Sequence, residues 1–372
     1  MPCLSSLKML CCSVVTLGSL ALAQASSNLT ASTPDYNNLT VALVRAAPIN
    51  WPSPILNKNW TGVSLDLNAT VTYGVDLISK AAQDGANLVV FPETWFPGYP
   101  KGNDDAWIAE HIHDYVENSL VVGSAEWQLL LSAAKSSKVY LALGFSERTN
   151  SSIYMAQALI SPCGELLLHR HKVRPSGGER DIWSDGTMDG LKVIDTPYGR
   201  WGMLECWEHY HPTMTFLMAA QLETLHIGAW PYQADFSDPL AGYYEDATLN
   251  TAAARIYAIN SGAVTLFTSI GYASVISGLG LDLKTLNATT PYDEQPMLYY
   301  SINTTASHNT DSYNIDGEQS WGVLQEIQDA WPYYIPRVIG SYVLKKTVQI
   351  EALFAYAAGY NSSMGDSTSP LP

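Results

Sequence analysis

The chain has 372 residues, of which 47% are apolar and 15% charged, so it can bury a large core and is too apolar for a disordered protein. Lys and Arg total 19 against 35 Asp and Glu, a formal net charge of -16, and no basic run offsets that balance. The excess of acid argues against nucleic acid and anionic membrane surfaces as partners.

The chain opens on a targeting pattern. Lys8 supplies a positive charge, residues 9–22 form an apolar run, and Ala21-Leu22-Ala23 matches a small-x-small cleavage site, which predicts a signal peptide over 1–23. The run is shorter than the roughly 20 residues that cross a bilayer, so no membrane partner is expected after cleavage. Asn-x-Ser/Thr acceptors stand at Asn28, Asn38, Asn59, Asn68, Asn150, Asn287, Asn303 and Asn361. Together with the leader they predict a glycosylated protein that is secreted or held in the secretory pathway. Cys3, Cys11 and Cys12 fall inside the leader and leave Cys163 and Cys206. Those two either form one bridge, or at least one is a free thiol kept for its reactivity.

Residues 39–47 read as a buried first strand, and 50–68 as a long loop rich in Pro, Asn and Trp. A helix then opens at Asn68, with Val71, Val75, Ile78, Ala81 and Ala82 on one face and Asp84-Gly85 as its stop. A short apolar strand over 87–91 completes the first strand, helix and strand of an α/β layer. It runs into residues 92–100, where Glu93 stands beyond a strand end. In α/β folds ligands bind there, although a carboxylate at that point serves equally well as a turn cap.

Helices are predicted over 104–118 and 124–137, a strand over 138–145, a turn over 146–152, and a strand over 153–160 paired with the one before. Ser161-Pro162-Cys163-Gly164 is a turn with Cys163 at its tip, and 165–168 continue as a strand. Residues 169–181 hold the densest group of cations in the chain. Such a group is ordinarily a solvated turn with weak ion pairs, but Lys172 directly follows a strand, as Glu93 does. His169 and His171 alternate in the manner of metal ligands, yet nothing nearby in sequence has tetrahedral-site spacing, and no metal is expected.

Residues 191–195 and 200–206 form a hairpin around the turn 196–199, and a helix follows over 213–222. Cys206 thus stands in a strand-to-helix turn, where unpaired backbone N–H groups lower a thiol pKa and support an oxyanion. Glu205 and Glu208 oppose a thiolate unless a cation compensates, and Lys172 is the obvious one. Further on, 224–229 and 263–268 read as strands and 243–260 as a helix burying Ala252, Ala253, Ile256 and Ile259. Past about residue 271 the pattern fades: 274–313 read as loops, 349–358 as a terminal helix and 361–372 as a disordered tail. No repeat and no glycine-rich phosphate loop is present.

Three stretches, FPETWFPGYPKG from 91, HRHKVRPSGGERDIWSDG from 169 and GMLECWEHYHP from 202, together resemble the carbon–nitrogen hydrolase superfamily and within it the nitrilases. A weaker match is TAAARIYAINSGAVTL from 251. The resemblance implies an α/β fold of the αββα sandwich type, with a core domain over 39–270 and a divergent C-terminal region over 271–360. It implies a catalytic set of Glu93 as general base, Lys172 as charge stabiliser and Cys206 as nucleophile, with Glu179 positioning the lysine. Trp207, Glu208 and His209 would line the substrate pocket or oxyanion site, although Trp207 serves equally as core packing. The expected reaction is nitrile to carboxylic acid and ammonia, with no metal or organic cofactor and with homo-oligomeric assembly. The alternatives are an amidase, a hydratase-like member that stops at the amide, and a non-catalytic glycoprotein that kept the fold.

Overall fold

A computed structural model describes residues 34–52, 60–100, 102–233, 242–306, 321–330 and 345–365. The chain divides into residues 1–35 and 36–372, and every element below lies in the second unit. The expected signal peptide and the acceptors Asn28 and Asn59 fall outside the described residues.

In chain order the elements are β1 (Asn38–Val44), α1 (Leu67–Gln83), β2 (Leu88–Val90), α2 (Asp105–Glu117), α3 (Ala125–Ser137), β3 (Tyr140–Arg148), β4 (Ile153–Ile160) and β5 (Leu166–His171). There follow β6 (Ile194–Thr196), β7 (Gly199–Glu205), α4 (Pro212–Ala219), β8 (Leu225–Tyr232), α5 (Ala247–Ser261), β9 (Val264–Ile270) and β10 (Tyr272–Ile276). The last are β11 (Asp282–Leu286), β12 (Met297–Asn303), α6 (Trp321–Asp329) and α7 (Ile350–Gly365). One six-stranded sheet runs β12-β1-β2-β3-β4-β5 and a second runs β11-β10-β9-β8-β7-β6.

Period-two alternation sorts the strands into layers. Along β1, Leu39, Val41 and Leu43 join Trp201, Met203, Ile227 and Leu266 of the second sheet in one core between the sheets. The alternate residues Ala42 and Val44 face the other way, onto Val71 and Ile78 of α1 and Trp127 and Leu130 of α3. On the far side, Leu204 packs with Met214 and Met218 of α4 and Tyr257 of α5. The result is the expected αββα sandwich. Local signals place its helices: Asp66, Asp104 and Ser124 each accept a hydrogen bond from a first-turn N–H as N-caps.

Four expectations need correction. The turn expected from Ser146 starts later, because β3 continues to Arg148 and keeps Glu147 in the ladder opposite Tyr154. In α5 the buried stripe is Ala253, Ala254, Tyr257 and Ala258; Ala252 is exposed, as are Ile256 (60%) and Ile259 (48%). Both stripes fit a helical period, and the inner one wins because its alanines allow close approach while Asn250 and Tyr257 meet Trp230 and Glu223. The region read as loops holds β10, β11 and β12, and all seven residues of β12 pair with β1. β11 and β12 are edge strands, so their outward positions carry polar and aromatic residues and the alternation is masked. Buried Arg45 anchors the loop between them, donating to the carbonyls of Asn287, Thr290 and Gln295. Finally, α7 runs through Asn361 to Gly365, inside the expected tail; 366–372 lie outside the described residues.

Candidate active site

Three chain segments converge where both sheets end. Glu93 follows β2 and its N–H donates to the carbonyl of Trp230 in β8, which ties the loop to the second sheet. Gly144 of β3 makes room for that loop: a Cβ there would lie 2.2 Å from the Pro92 oxygen and 2.9 Å from the Glu93 Cα. Lys172 follows β5, with its N–H donating to Met155 and so continuing the ladder. Its side chain is fully buried, and Nζ donates to Glu93 Oε1 at 2.8 Å and to Glu179 Oε2 at 2.7 Å. Glu179 sits in a 3₁₀ turn, Gly177–Asp181, and accepts from the Ser176 N–H at 2.6 Å and from the Tyr99 hydroxyl at 3.0 Å.

Two carboxylates on one buried ammonium fix its protonation. Burial acts to lower the Lys172 pKa, but Glu179 and Glu93 outweigh it and hold it well above the ordinary value. Burial lifts the Glu93 carboxyl well above its usual range despite Lys172. Its second oxygen, Oε2, is buried with no hydrogen-bond partner and is open to a proton.

Cys206 opens the 3₁₀ helix Cys206–Tyr210 at φ 38°, a left-handed conformation that is strained for a residue with a side chain. The expected strand-to-helix turn is therefore present, but its short helix carries little dipole. Burial first, and Glu93 next, raise the thiol pKa well above its ordinary value, while Lys172 and the Trp207 N–H act to lower it. The resting group is a thiol. Cys163 sits at the β4–β5 turn and neither cysteine is bridged, which leaves Cys206 free to react.

The flanking residues divide. Glu205 is fully buried and burial pushes its carboxyl up to about 8, so at neutral pH it is an uncharged acid and does not oppose a thiolate. Trp207 lines the cavity beside Cys206. Glu208 and His209 lie outside that cavity lining. Glu208 is a clamp: it accepts from Arg170 Nη2 at 2.6 and 2.8 Å, from the Val173 N–H and from the Glu205 N–H, joining β5 to the end of β7. Burial alone would raise its pKa, but Arg170 and those N–H groups hold it low. His209 Nδ1 donates to the Cys206 carbonyl at 2.7 Å, and its Nε2 lies 3.0 Å from Nε2 of His226, which in turn contacts Glu223. Burial and then His226 keep His209 well below the usual imidazole pKa, so it is neutral and supports the turn from behind. Residues three apart on a 3₁₀ helix eclipse one another, and sequence adjacency to Cys206 gave no sign of which side chains turn inward.

The cavity measures about 410 Å³ and is bounded by Cys206, Glu179, Trp207, Tyr99, Tyr232 and Tyr244, among others. That is the size and apolar character of a small-ligand pocket. Tyr99, which the sequence reading passed over, both lines the cavity and holds Glu179.

The profile of the carbon-nitrogen hydrolase family matches residues 40–278. Among curated proteins, a nitrilase of Talaromyces marneffei is 38% identical over 214 residues, 56% of this chain and 66% of that protein. An arylacetonitrilase of Aspergillus oryzae is 37% identical over 262 residues, 68% of this chain and 71% of its own length. The matched stretch thus spans about two thirds of these relatives. Among solved structures, an amidase of the nitrilase superfamily from Nesterenkonia superposes with a TM-score of 0.58 at 16% identity, covering 80% of this chain and 99% of that one.

Proposed function

The chain belongs to the carbon–nitrogen hydrolase family, and on that premise we propose that it converts an aromatic nitrile to its carboxylic acid and ammonia. The observation that carries this reading is the buried Glu93–Lys172–Glu179 cluster with Cys206 opening into an aromatic-lined cavity. As Cys206 Sγ bonds to the nitrile carbon, Glu93 Oε2 takes the thiol proton and the nitrogen becomes an imine, giving a thioimidate. Lys172 faces the charge that develops, supplies a proton to that nitrogen and regains one from Glu93 through their hydrogen bond, which frees Glu93 to act as base again. Water adds to the thioimidate as Glu93 passes its proton on to the nitrogen; the hydroxyl proton of that adduct follows by the same route as the C–N bond breaks, which releases ammonia and leaves a thioester. A second water cleaves the C–S bond, releasing the acid and restoring the thiol.

The same residues serve amide hydrolysis from the tetrahedral stage onward. Preference for the nitrile rests on the aromatic wall of Trp207, Tyr99, Tyr232 and Tyr244 and on the names of the relatives. Incubation with an arylacetonitrile and with its amide separates the readings. Ammonia and acid from the nitrile support a nitrilase. Accumulating amide without ammonia marks a hydratase, and turnover of amides alone refutes the nitrile reading. Slow iodoacetamide labelling of Cys206 without turnover of either compound marks a non-catalytic protein.

The setting is proposed with the chemistry. Acceptors Asn38, Asn68, Asn150, Asn287, Asn303 and Asn361 are all exposed, as a secreted glycoprotein requires. Among the described residues no helix is long and apolar enough to cross a membrane. Exposed Ile256 and Ile259, beside the turn that carries exposed Leu279 and Leu281, offer an apolar face for a second copy. A mobility shift after glycan removal and the mass of the native particle check these two points.

A further inference from the structure

Outside the active site, three donor atoms from two strands meet at one point. His169 Nε2 lies 2.6 Å, and His171 Nε2 2.9 Å, from the same oxygen, Oε2 of Glu147. The sheet explains the meeting. β4 runs between β3 and β5, and opposite His169 and His171 it carries Ala158 and Ala156. Cross-strand partners share a face, and the two alanines leave the imidazoles free to reach across β4 to Glu147. His171 is held flat against Tyr154, with ring centroids 4.0 Å apart and planes 7° apart, and His169 meets His171 edge-on at 5.1 Å.

We propose that Glu147, His169 and His171 bind a divalent transition-metal ion of the Zn²⁺ type. The three donor atoms lie within 4.8 Å of one another. A tetrahedral ion with bonds of about 2.0–2.2 Å needs its ligands about 3.3 Å apart, so the carboxylate oxygen has to move back from the two nitrogens by about 0.4–0.7 Å while the imidazoles, partly exposed and on one strand face, close on the ion. Two imidazoles with one carboxylate suit zinc or its first-row neighbours, whereas magnesium and calcium take all-oxygen sites. The Glu147 side chain is 7% exposed but those of His169 and His171 are 29% and 25% exposed, which gives the ion an entry path and a fourth position for water. Binding replaces two N–H···O contacts with metal bonds and so releases a proton wherever an imidazole must give one up. Chain spacing alone hid the site, because its third donor stands on β3, two strands away from the His-x-His pair. The ion would staple β3 to β5 directly before Lys172.

The test uses the full chain without an affinity tag, chelator-treated, with Cys3, Cys11, Cys12, Cys163 and Cys206 all replaced by Ala so that no thiol contributes. Calorimetric titration with ZnCl₂ is expected to give one equivalent, and CoCl₂ to give the intense visible absorption of a tetrahedral ion. Glu147→Gln and His171→Asn should each weaken binding by more than about tenfold, with metal-free circular dichroism unchanged. If His171→Asn fails to fold, His169→Gln replaces it. Absence of binding to the background protein overturns the proposal. So does binding of equal strength in the variants, or only the millimolar association expected of scattered surface acids.

Discussion

Glu205 places a carboxyl next to Cys206, and replacing it by Gln tests whether that carboxyl is neutral. Neither of its oxygens has a hydrogen-bond partner. Burial, the largest influence, moves its pKa from 4.5 to about 8, against the pull of Arg170 and Lys172. The folded pKa lies above the unfolded one, so between these values the folded state binds more protons and stability falls as pH rises. The contribution is full below 4.5 and lost by about 8; a displacement of that size is worth on the order of 5 kcal/mol.

The Gln variant keeps the volume and the neutral, unpaired polar group but cannot ionise. Its unfolding free energy in urea, relative to wild type, should therefore rise by several kcal/mol between pH 5 and pH 8.5. Glu93 and Lys172 feel Glu205 directly, so the difference reads the titration of that coupled cluster, while groups farther away are common to both proteins and cancel to first order. At pH 7 the variant should hydrolyse nitrile at a rate of the same order as wild type, because Glu205 is already uncharged there. A stability difference that stays constant across this range would refute the burial argument. A large gain in thiol reactivity at pH 7 would show instead that wild-type Glu205 is ionised beside Cys206.

Gly144→Ala should lower kcat by at least about tenfold with the fold intact, since its Cβ would meet the Pro92 oxygen at 2.2 Å and displace Glu93; single-turnover kinetics with matched circular dichroism checks it. Glu208→Gln leaves the Arg170 guanidinium buried without its charge partner and should cost about 3–5 kcal/mol in urea unfolding. Tyr99→Phe removes the hydroxyl that donates to Glu179. The lost bond to a buried carboxylate should cost about 1.5–3 kcal/mol, and turnover should drop more than KM changes if Glu179 positions Lys172.

The parts of the fold that were legible in the sequence are those whose signal is local. The helix starts at Asp104 and Ser124, the continuous apolar strands β2 and β7 and the hairpin turn before Cys206 each state their conformation within a few residues. The positions of Glu93 and Lys172 were legible for a related reason: a polar residue directly after a buried strand has little choice but to stand at the sheet end. Roles set by side-chain direction were not legible. Glu208 and His209 closely follow Cys206 in sequence, yet one turns to Arg170 and the other to His226. The α5 stripe failed similarly, since Ile256 and Ile259 fit the helical period as well as Tyr257 and Ala258 do. Only the sheet they pack on decides between them.

The same distinction explains the Glu147, His169 and His171 cluster and bears on how Lys172 is held. A His-x-His pair on one strand fixes two donors on one face, but the third comes from whatever the topology brings alongside, and that depends on strand order and on the size of the intervening residues. Ala156 and Ala158 are unremarkable as sequence; as the middle strand they decide whether β5 side chains reach β3. If an ion closes that reach, it fixes the strand end from which Lys172 projects to Glu93 and Glu179. Chelation would then loosen β5 just before Lys172. The expected signature is faster amide exchange at His171 and Lys172 in the metal-free protein, with protection on β7 unchanged. Equal exchange with and without Zn²⁺ would leave the ion with no hold on the site.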